Sequence, residues 1–387
     1  MTKPRLPGHH LAIGIIGAGS AGLAAAIAFA RNGHKVVVFE KHPSITPLGA
    51  GILIQPQGVR ALEELGVGSR FSEASVPVNQ LLGICHRGWR LVDVPYGQTE
   101  ARAVSRAALS EVLFRAAVAA GVELRFDARV VSVDKLGEMG MVQLEHGRCL
   151  FDLVVIADGA GSALSTPAGL TVASTMYPWA ALWGMFDVEG WAGERILEQR
   201  FRTTRKMYGL MPTARIGNKL RLSLFWSLPR DQYAAWQQSS LVDWKQELLA
   251  LWPESAPVVD QIEQHDQFTL ATYRHAHAKS LAKPPICLVG DAAHAMSPQL
   301  GLGTTLAVQD ALMLAHAVQE LGPVAGPLAY SRRRLRAVRG YQLLSKMLTP
   351  CFQADGEGLW RDIGFAVGQR LPGMRHVMFR SVASPRA

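Results

Sequence analysis

Residues 10–40 restrict the possible folds of this chain more than any other stretch. An apolar run over 10–16 (HLAIGII) reads as a buried strand and is followed by Gly17-Ala18-Gly19-Ser20-Ala21-Gly22. An Ala-rich helix follows over 20–32, closed by Gly33, and a second buried strand over 35–40 (KVVVFE) completes a βαβ unit. The glycine spacing has a physical reason. Gly17 permits the tight turn, Gly19 leaves room for a pyrophosphate against the backbone, and Gly22 lets helix and strand pack closely. The free N–H groups and the dipole of the helix N-terminus, which includes Ser20 and Ala21, then favour a diphosphate. A GxGxxG alone is weak; one placed between strand and helix is the dinucleotide fingerprint.

Glu40 ends the second strand, 18 positions after Gly22. A carboxylate there accepts hydrogen bonds from a ribose diol and repels a 2′-phosphate, so the ligand is expected to be FAD or NAD and not NADP. The length of 387 residues suggests two or three domains, and 49% hydrophobic with 18% charged residues is a globular composition. The net charge of +9 raises the question of nucleic acid or an anionic surface. Its densest cluster, Arg332, Arg333, Arg334, Arg336 and Arg339, falls on an expected helix and reads as a solvated face; no nucleic-acid motif accompanies it. The four cysteines, Cys85, Cys149, Cys287 and Cys351, have no metal or CxxC spacing and fit a reducing cytoplasm, with Cys287 a buried core thiol. The N-terminal apolar run superficially resembles a signal peptide, but Gly14, Gly17, Gly19 and Gly22 interrupt it and it reads better as strand, turn and helix; no uninterrupted apolar stretch is long enough to cross a membrane.

Helices are expected near 57–65, over 106–120 and 241–251, and over 304–321, with strands over 122–126, 129–133, 141–145, 153–156 and 286–290. Between residues 175 and 227 the chain turns strand-like and aromatic. There Arg221, Ser223, Phe225 and Ser227 alternate with Leu222, Leu224 and Trp226, so one face meets the core and the other is free to line a pocket. The tail beyond 341 looks helical, with breaks at Pro350, at Gly356 and Gly358, and at Pro372. A second motif follows the strand at 286–290: Gly290-Asp291-Ala292-Ala293-His294-Ala295-Met296-Ser297-Pro298, then Gln299-Leu300-Gly301-Leu302-Gly303-Thr304. The strand delivers Asp291 to its carboxyl edge, where such sheets bind ligands, and the glycine turn opens another helix.

The stretch GDAAHAMSPQLGLGTTLAVQDA (290–311) resembles the second flavin signature of the FAD-dependent aromatic hydroxylases related to p-hydroxybenzoate hydroxylase, the group A flavoprotein monooxygenases. With the N-terminal fingerprint the resemblance spans most of the chain. It implies an α/β fold: a Rossmann-type FAD-binding domain with an inserted β-sheet substrate domain and C-terminal helices. The expected FAD domain takes 1–77, 101–174 and 270–340, the sheet domain 78–100 with 175–269, and the helical segment 341–387. Asp291 would bind the ribityl hydroxyls, Pro298 would lie beside the isoalloxazine, and Gly301, Leu302, Gly303 and Thr304 would cradle its pyrimidine edge. Arg106 would contact the flavin chain, and Ala50-Gly51-Ile52 is similar to the segment packed beside the ring. Lys41 and Val130 are further expected cofactor contacts. Ala157-Asp158-Gly159 resembles the family's Asp-Gly motif. The sequence departs from the family at Ile156 (usually Gly), Ser165 (usually Arg) and Thr305 (often Asn). His294 takes a structural or cofactor-adjacent role, and no residues are assigned to a metal.

The resemblance implies reduction by NADH or NADPH, reaction of the reduced flavin with O2 at C4a, and transfer of OH from the resulting hydroperoxide to a planar, electron-rich small molecule. The flavin carries the difficult chemistry, which fits the absence of an obvious triad or carboxylate pair. No catalytic residue is assigned. Trp183, Tyr208, Phe225 and Pro298 are the candidate substrate contacts, since an aromatic-lined pocket suits a planar substrate. The tail from Arg370 to Arg380 is basic and apolar and is similar to the C-terminal end of the ubiquinone-biosynthesis hydroxylases; it is read as a terminal helix on the core, not as a membrane contact. Three other readings remain: a flavin-dependent reductase or dehydrogenase of a lipid-like substrate, a flavin-binding protein without turnover, and a plain NAD-dependent dehydrogenase.

Overall fold

The computed structural model describes residues 10–45, 51–97 and 99–368. Its centre is a six-stranded sheet built around the strand Ala12–Ile16. That strand pairs in parallel with Lys35–Phe39 on one side and Leu153–Ile156 on the other. Glu123–Arg125 and Ile286–Leu288 extend the parallel set outwards, and short Ala282–Lys283 closes one edge antiparallel. These strands read as continuous apolar runs because both faces are covered. Ile13, Ile15, Val38, Val155 and Cys287 are fully enclosed, the last as expected for a core thiol. Helix Ser20–Arg31 packs on helix Arg106–Ala119 and on the long helix Gly303–Phe352. Close approach of the first helix depends on Gly22, where a Cβ would stand 1.9 Å from the Gly17 carbonyl oxygen.

The second layer is a seven-stranded sheet in the order Thr269–Ala278, Val172–Glu189, Lys219–Pro229, Lys206–Ile216, Ile196–Arg202, Gln80–Cys85 and Arg90–Pro95. The alternation expected in Lys219–Pro229 is present. Leu222, Leu224 and Trp226 join Trp236, Trp244 and Trp252 beneath helix Leu241–Leu251 and its neighbours. Phe225 points the other way, into a cluster with Leu53, Val78 and Tyr96. That second face meets the small sheet that adjoins the parallel-sheet half of the molecule. A small sheet, Gly51–Ile54 with Ala101–Ser105 and Val76–Val78, lies along the seam.

Several expectations need correcting. The seam expected at residue 270 falls inside the strand Thr269–Ala278, which pairs with Val172–Glu189 as part of the large sheet. The helix expected over 304–321 does end there, at Gly322 (φ 80°), but a second helical stretch follows it directly and runs to Phe352. Pro350 lies in its last turn and does not end it, whereas the chain does break near Gly358 (φ 74°) before helix Leu359–Gly368. In the arginine cluster, Arg332, Arg333, Arg336 and Arg339 are exposed, but Arg334 is fully buried. Ala50, Pro372 and the Arg370–Arg380 tail lie outside the described residues.

The Gly22 contact yields a stability prediction. Gly22→Val forces a side chain into the turn backbone, and overpacking of this kind costs about 3 kcal/mol. Urea unfolding of the variant is expected to show that loss; unchanged stability would contradict the packing.

Candidate active site

Four parallel strands end in one row. Registers of Ile16 with Phe39, Ile16 with Ile156, and Ile156 with Leu288 bring Glu40, Gly17, Ala157 and Val289 to the same carboxyl edge. The row is fixed by backbone hydrogen bonds: Gly17 N–H to Phe39 O (2.8 Å), Ala157 N–H to Ile16 O (2.8 Å) and Val289 N–H to Ile156 O (3.1 Å). Every sequence motif therefore opens onto one crevice, as expected at the carboxyl ends of an open α/β sheet.

At the first corner Gly17 has φ 100°, and a Cβ there would lie 2.5 Å from the Ala157 carbonyl oxygen. Gly19 differs, because a Cβ on it would meet nothing within 4 Å. The turn is thus closed inwards and open outwards. Helix Ser20–Arg31 has no side-chain cap, so its first amides are free to bind an anion. Glu40 accepts from the Ala18 amide (2.8 Å) and the His42 amide (3.1 Å), one per oxygen, which leaves acceptor capacity for a diol. Lys41 is exposed beside it, and Val130 follows the residue whose amide (Ala128) donates to Glu40 O at 2.8 Å, two positions on. Asp158 stands against Gly17, with Oδ1 buried and unpartnered. Burial pushes its carboxyl pKa up, against hydrogen bonds from Ser162 and backbone and the charge of Lys41.

The second corner touches the first. A Cβ on Gly290 (φ 62°) would lie 2.7 Å from the Ala21 Cβ. Asp291 is exposed at the edge, and its Oδ1 would lie 3.9 Å from a Cβ on Gly303. Pro298–Leu300 forms a single turn ending in left-handed Gly301 (φ 59°), and the helix from Gly303 again has no side-chain cap. Leu302 is buried and Thr304 half-buried. Gln55 joins this loop to the strand Gly51–Ile54: its amide N–H donates to Thr305 Oγ1 (3.2 Å) and its side chain to Leu300 O (3.4 Å). Gly51 in turn pairs with Ser105 beside Arg106, and its N–H donates to Ser223 Oγ (3.1 Å). The departures are internal packing positions: Ile156, Ser165 and Thr305 are all buried.

The signature conceals a buried ionic cluster that sequence reasoning missed. Asp310 Oδ2 accepts from His294 Nε2 (2.6 Å) and the Gly290 amide (2.8 Å), while Oδ1 takes the Arg334 guanidinium. Arg334 also donates to Leu306 O (2.8 Å). His294 therefore has a positioning role, and Arg334 is buried because it neutralises this carboxylate. Burial alone would raise the Asp310 pKa; Arg334, then His294, and the Gly290 amide hold it below the ordinary carboxylate range. No sequence signal linked Asp310 to a residue 24 positions away.

On the sheet side, Trp183 and Phe225 lie 5.2 Å apart by ring centroid, and Trp183 Nε1 donates to Tyr273 OH at 3.4 Å. Tyr208 does not join them. It pairs in register with Trp226 and is enclosed on the opposite, helix-covered face, so it is withdrawn from the candidate substrate contacts.

The open Gly19, the uncapped helix ends and the unpartnered Asp158 acceptor fit an extended flavin nucleotide along this crevice. The sequence profile of the family described as "FAD binding domain" matches residues 10–341. The chain belongs to this FAD-binding family, as one of the FAD-dependent aromatic hydroxylases, and is a monooxygenase. Among its relatives is a probable 2-heptyl-3-hydroxy-4(1H)-quinolone synthase of Rhodococcus erythropolis, 30% identical over 79% of this chain and 78% of the relative. Salicylate hydroxylase of Pseudomonas putida is 28% identical over 82% and 80%. In fold the chain is similar to a point variant of Klebsiella pneumoniae HpxO complexed with FAD (TM-score 0.80, 21% identity, 97% of this chain and 99% of that one).

The Asp310 cluster makes a signed pH prediction. A carboxyl whose pKa is lower folded than unfolded stabilises the fold above the ordinary carboxylate range, and this is lost as pH falls through the folded value. Asp310→Asn is expected to cost about 3 kcal/mol near neutral pH by urea unfolding, with the difference shrinking in acid. A difference independent of pH would contradict the assignment.

Proposed function

We propose that a planar, electron-rich arene is hydroxylated at the seam between the Pro298–Leu300 turn and the Trp183–Phe225 face of the large sheet. One observation carries this reading: the two cofactor corners touch at Gly290 and Ala21, and the loop beyond them joins an aromatic sheet face through Gln55 and Gly51. Gly17, Gly19, Gly22, Ser20 and Ala21 would hold the diphosphate of FAD. Glu40, with Lys41 and Val130, would hold the adenosine side, and Asp158 and Asp291 the sugar hydroxyls. Gly51, Arg106, Pro298, Gly301, Leu302, Gly303 and Thr304 would surround the ring end. Bound and reduced, FAD supplies the two electrons with which O2 is divided between substrate and water. NADH or NADPH supplies those electrons; Glu40 bears only on the resident dinucleotide and does not choose between them.

The chain's own residues bind and orient. The uncapped N-terminus of the helix from Gly303 would favour negative charge at the pyrimidine edge of the reduced ring. Trp183, Tyr273 and Phe225 would present flat apolar surface to the substrate, and the buried cluster of Leu53, Val78, Tyr96 and Phe225 would keep water out. The FAD domain would be discontinuous, with the sheet domain inserted in it and the second seam following Ala278. A cytoplasmic location is supported by four free cysteines and by the need for NAD(P)H. Among the described residues, no helix is long and apolar enough to cross a membrane.

Two measurements follow. In 18O2 with NAD(P)H and a phenolic panel, the product is expected to gain one labelled oxygen; turnover without label would favour the reductase reading. Asp291→Ala is expected to lower FAD affinity about tenfold or more, since a hydrogen bond to a charged group contributes about 1.5–3 kcal/mol. Equilibrium dialysis of FAD would show this, and an unchanged Kd would remove Asp291 from the site.

A further inference from the structure

We propose that the outer face of the helix over 323–352 docks the protein on an anionic lipid bilayer, with its arginines against the lipid phosphates and its exposed Val324, Leu328, Leu343 and Met347 at the edge of the acyl chains. The proposal goes beyond the hydroxylase reading and does not rest on it.

The composition of this stretch is the first observation. From Leu321 to Ala354 the sequence holds five arginines and one lysine, and no Asp or Glu. Arg334 alone turns inward, to Asp310. Arg332, Arg333, Arg336, Arg339 and Lys346 are exposed, and none of them forms a salt bridge among the described residues. The acids that bracket the stretch lie outside it. Glu320 precedes the break at Gly322, and Asp355 is taken by Arg205 (3.2 Å).

The second observation is where these side chains stand. The four apolar residues and Arg332, Arg336 and Arg339 follow one another at steps of three or four, the spacing of one helical face. Val324 (55%), Leu328 (41%), Leu343 (62%) and Met347 (66%) keep much of their surface in solvent, so no described residue covers them. The face is about 45 Å long, with apolar side chains at both ends and the cations between. The opposite face is fixed to the protein. Arg334 meets Asp310, Gln342 Nε2 donates to Ala276 O (2.7 Å), and Ser345 Oγ lies 2.5 Å from Ser297 Oγ. The helix therefore cannot roll to bury its outer apolar side chains.

Charge and apolar surface together select the occupant. Unpaired cations call for an anionic partner. A nucleic acid would satisfy the arginines but leave the four apolar side chains in water. A second copy, related by a two-fold axis centred on this face, would set the arginine row against itself, and like charges repel. An anionic bilayer satisfies both parts: the headgroups take the cations, and the boundary of the acyl region takes the aliphatic chains. The helix would lie in the plane of the interface. Among the described residues, no helix is long and apolar enough to cross it.

The test floats the FAD-loaded chain, at low ionic strength, with vesicles of phosphatidylcholine plus phosphatidylglycerol and with vesicles of phosphatidylcholine alone. Binding to the anionic vesicles is expected to be at least about tenfold stronger, and to weaken as salt is added. Arg336→Glu with Arg339→Glu is expected to lower it about tenfold or more. Lys135→Glu with Lys219→Glu makes an equal charge change at exposed positions elsewhere and is expected to lower it less than about threefold. Leu343→Ser with Met347→Ser keeps the charge and is expected to lower binding about tenfold. Equal binding to both vesicle types, an equal loss in the two charge pairs, or binding unmoved by Leu343→Ser with Met347→Ser would overturn the proposal. So would failure to bind either vesicle type; self-association by sedimentation equilibrium, or retention of duplex DNA, would then name another occupant. The visible flavin band checks that each variant is folded. Where a pair loses it, the single changes Arg339→Glu and Leu343→Ser take its place, each with about a threefold loss expected.

Discussion

One buried carboxylate holds the second half of the cofactor crevice in place. Asp310 lies fully inside the protein, where an unpaired charge is not tolerated, and it satisfies three donors from three directions. The Gly290 amide fixes the end of the strand Ile286–Leu288, His294 fixes the turn after it, and Arg334 fixes the far part of the long helix. Because Gly290 also touches Ala21, the position of that turn sets how the second motif meets the first. The loop from Pro298 to Gly303 inherits its place from this anchor.

Around that anchor the architecture divides labour. The parallel sheet brings Glu40, Gly17, Asp158 and Asp291 to one edge through strand register alone. The large antiparallel sheet uses its two-residue alternation to bury Leu222, Leu224 and Trp226 under helices while turning Phe225 towards the cofactor loop. The small strand Gly51–Ile54 lies between them, and its Gly51 is required by proximity: a Cβ there would stand 2.6 Å from Ser223 Cβ. In the proposed reading the flavin's chemistry would meet this aromatic surface, and no acid–base pair is assigned among the described residues.

Much of this was legible in the residues. The βαβ unit, the glycine turn, Glu40 and the second signature follow from local rules of strand, turn and helix, and the structure places them as those rules require. Long-range pairing was not legible. Arg334 looked like one more exposed arginine because helical spacing does not reveal a partner at Asp310. Tyr208 looked like a pocket residue because its composition suits one; its face was settled only by the register that pairs it with Trp226. Residue 270 marks no break in the structure: Thr269–Ala278 is one continuous strand of the large sheet, and nothing in its own sequence shows which sheet it joins.

In the proposed site one extended flavin nucleotide would run from the Gly17–Gly22 corner to the Pro298–Gly303 loop. Diffraction from crystals of the FAD-loaded protein tests this directly. The diphosphate is expected against the Gly19 and Ser20 amides, with the isoalloxazine between Gly51 and Pro298. Flavin density with its diphosphate elsewhere, or with its ring on the Tyr208 side of the large sheet, would contradict it.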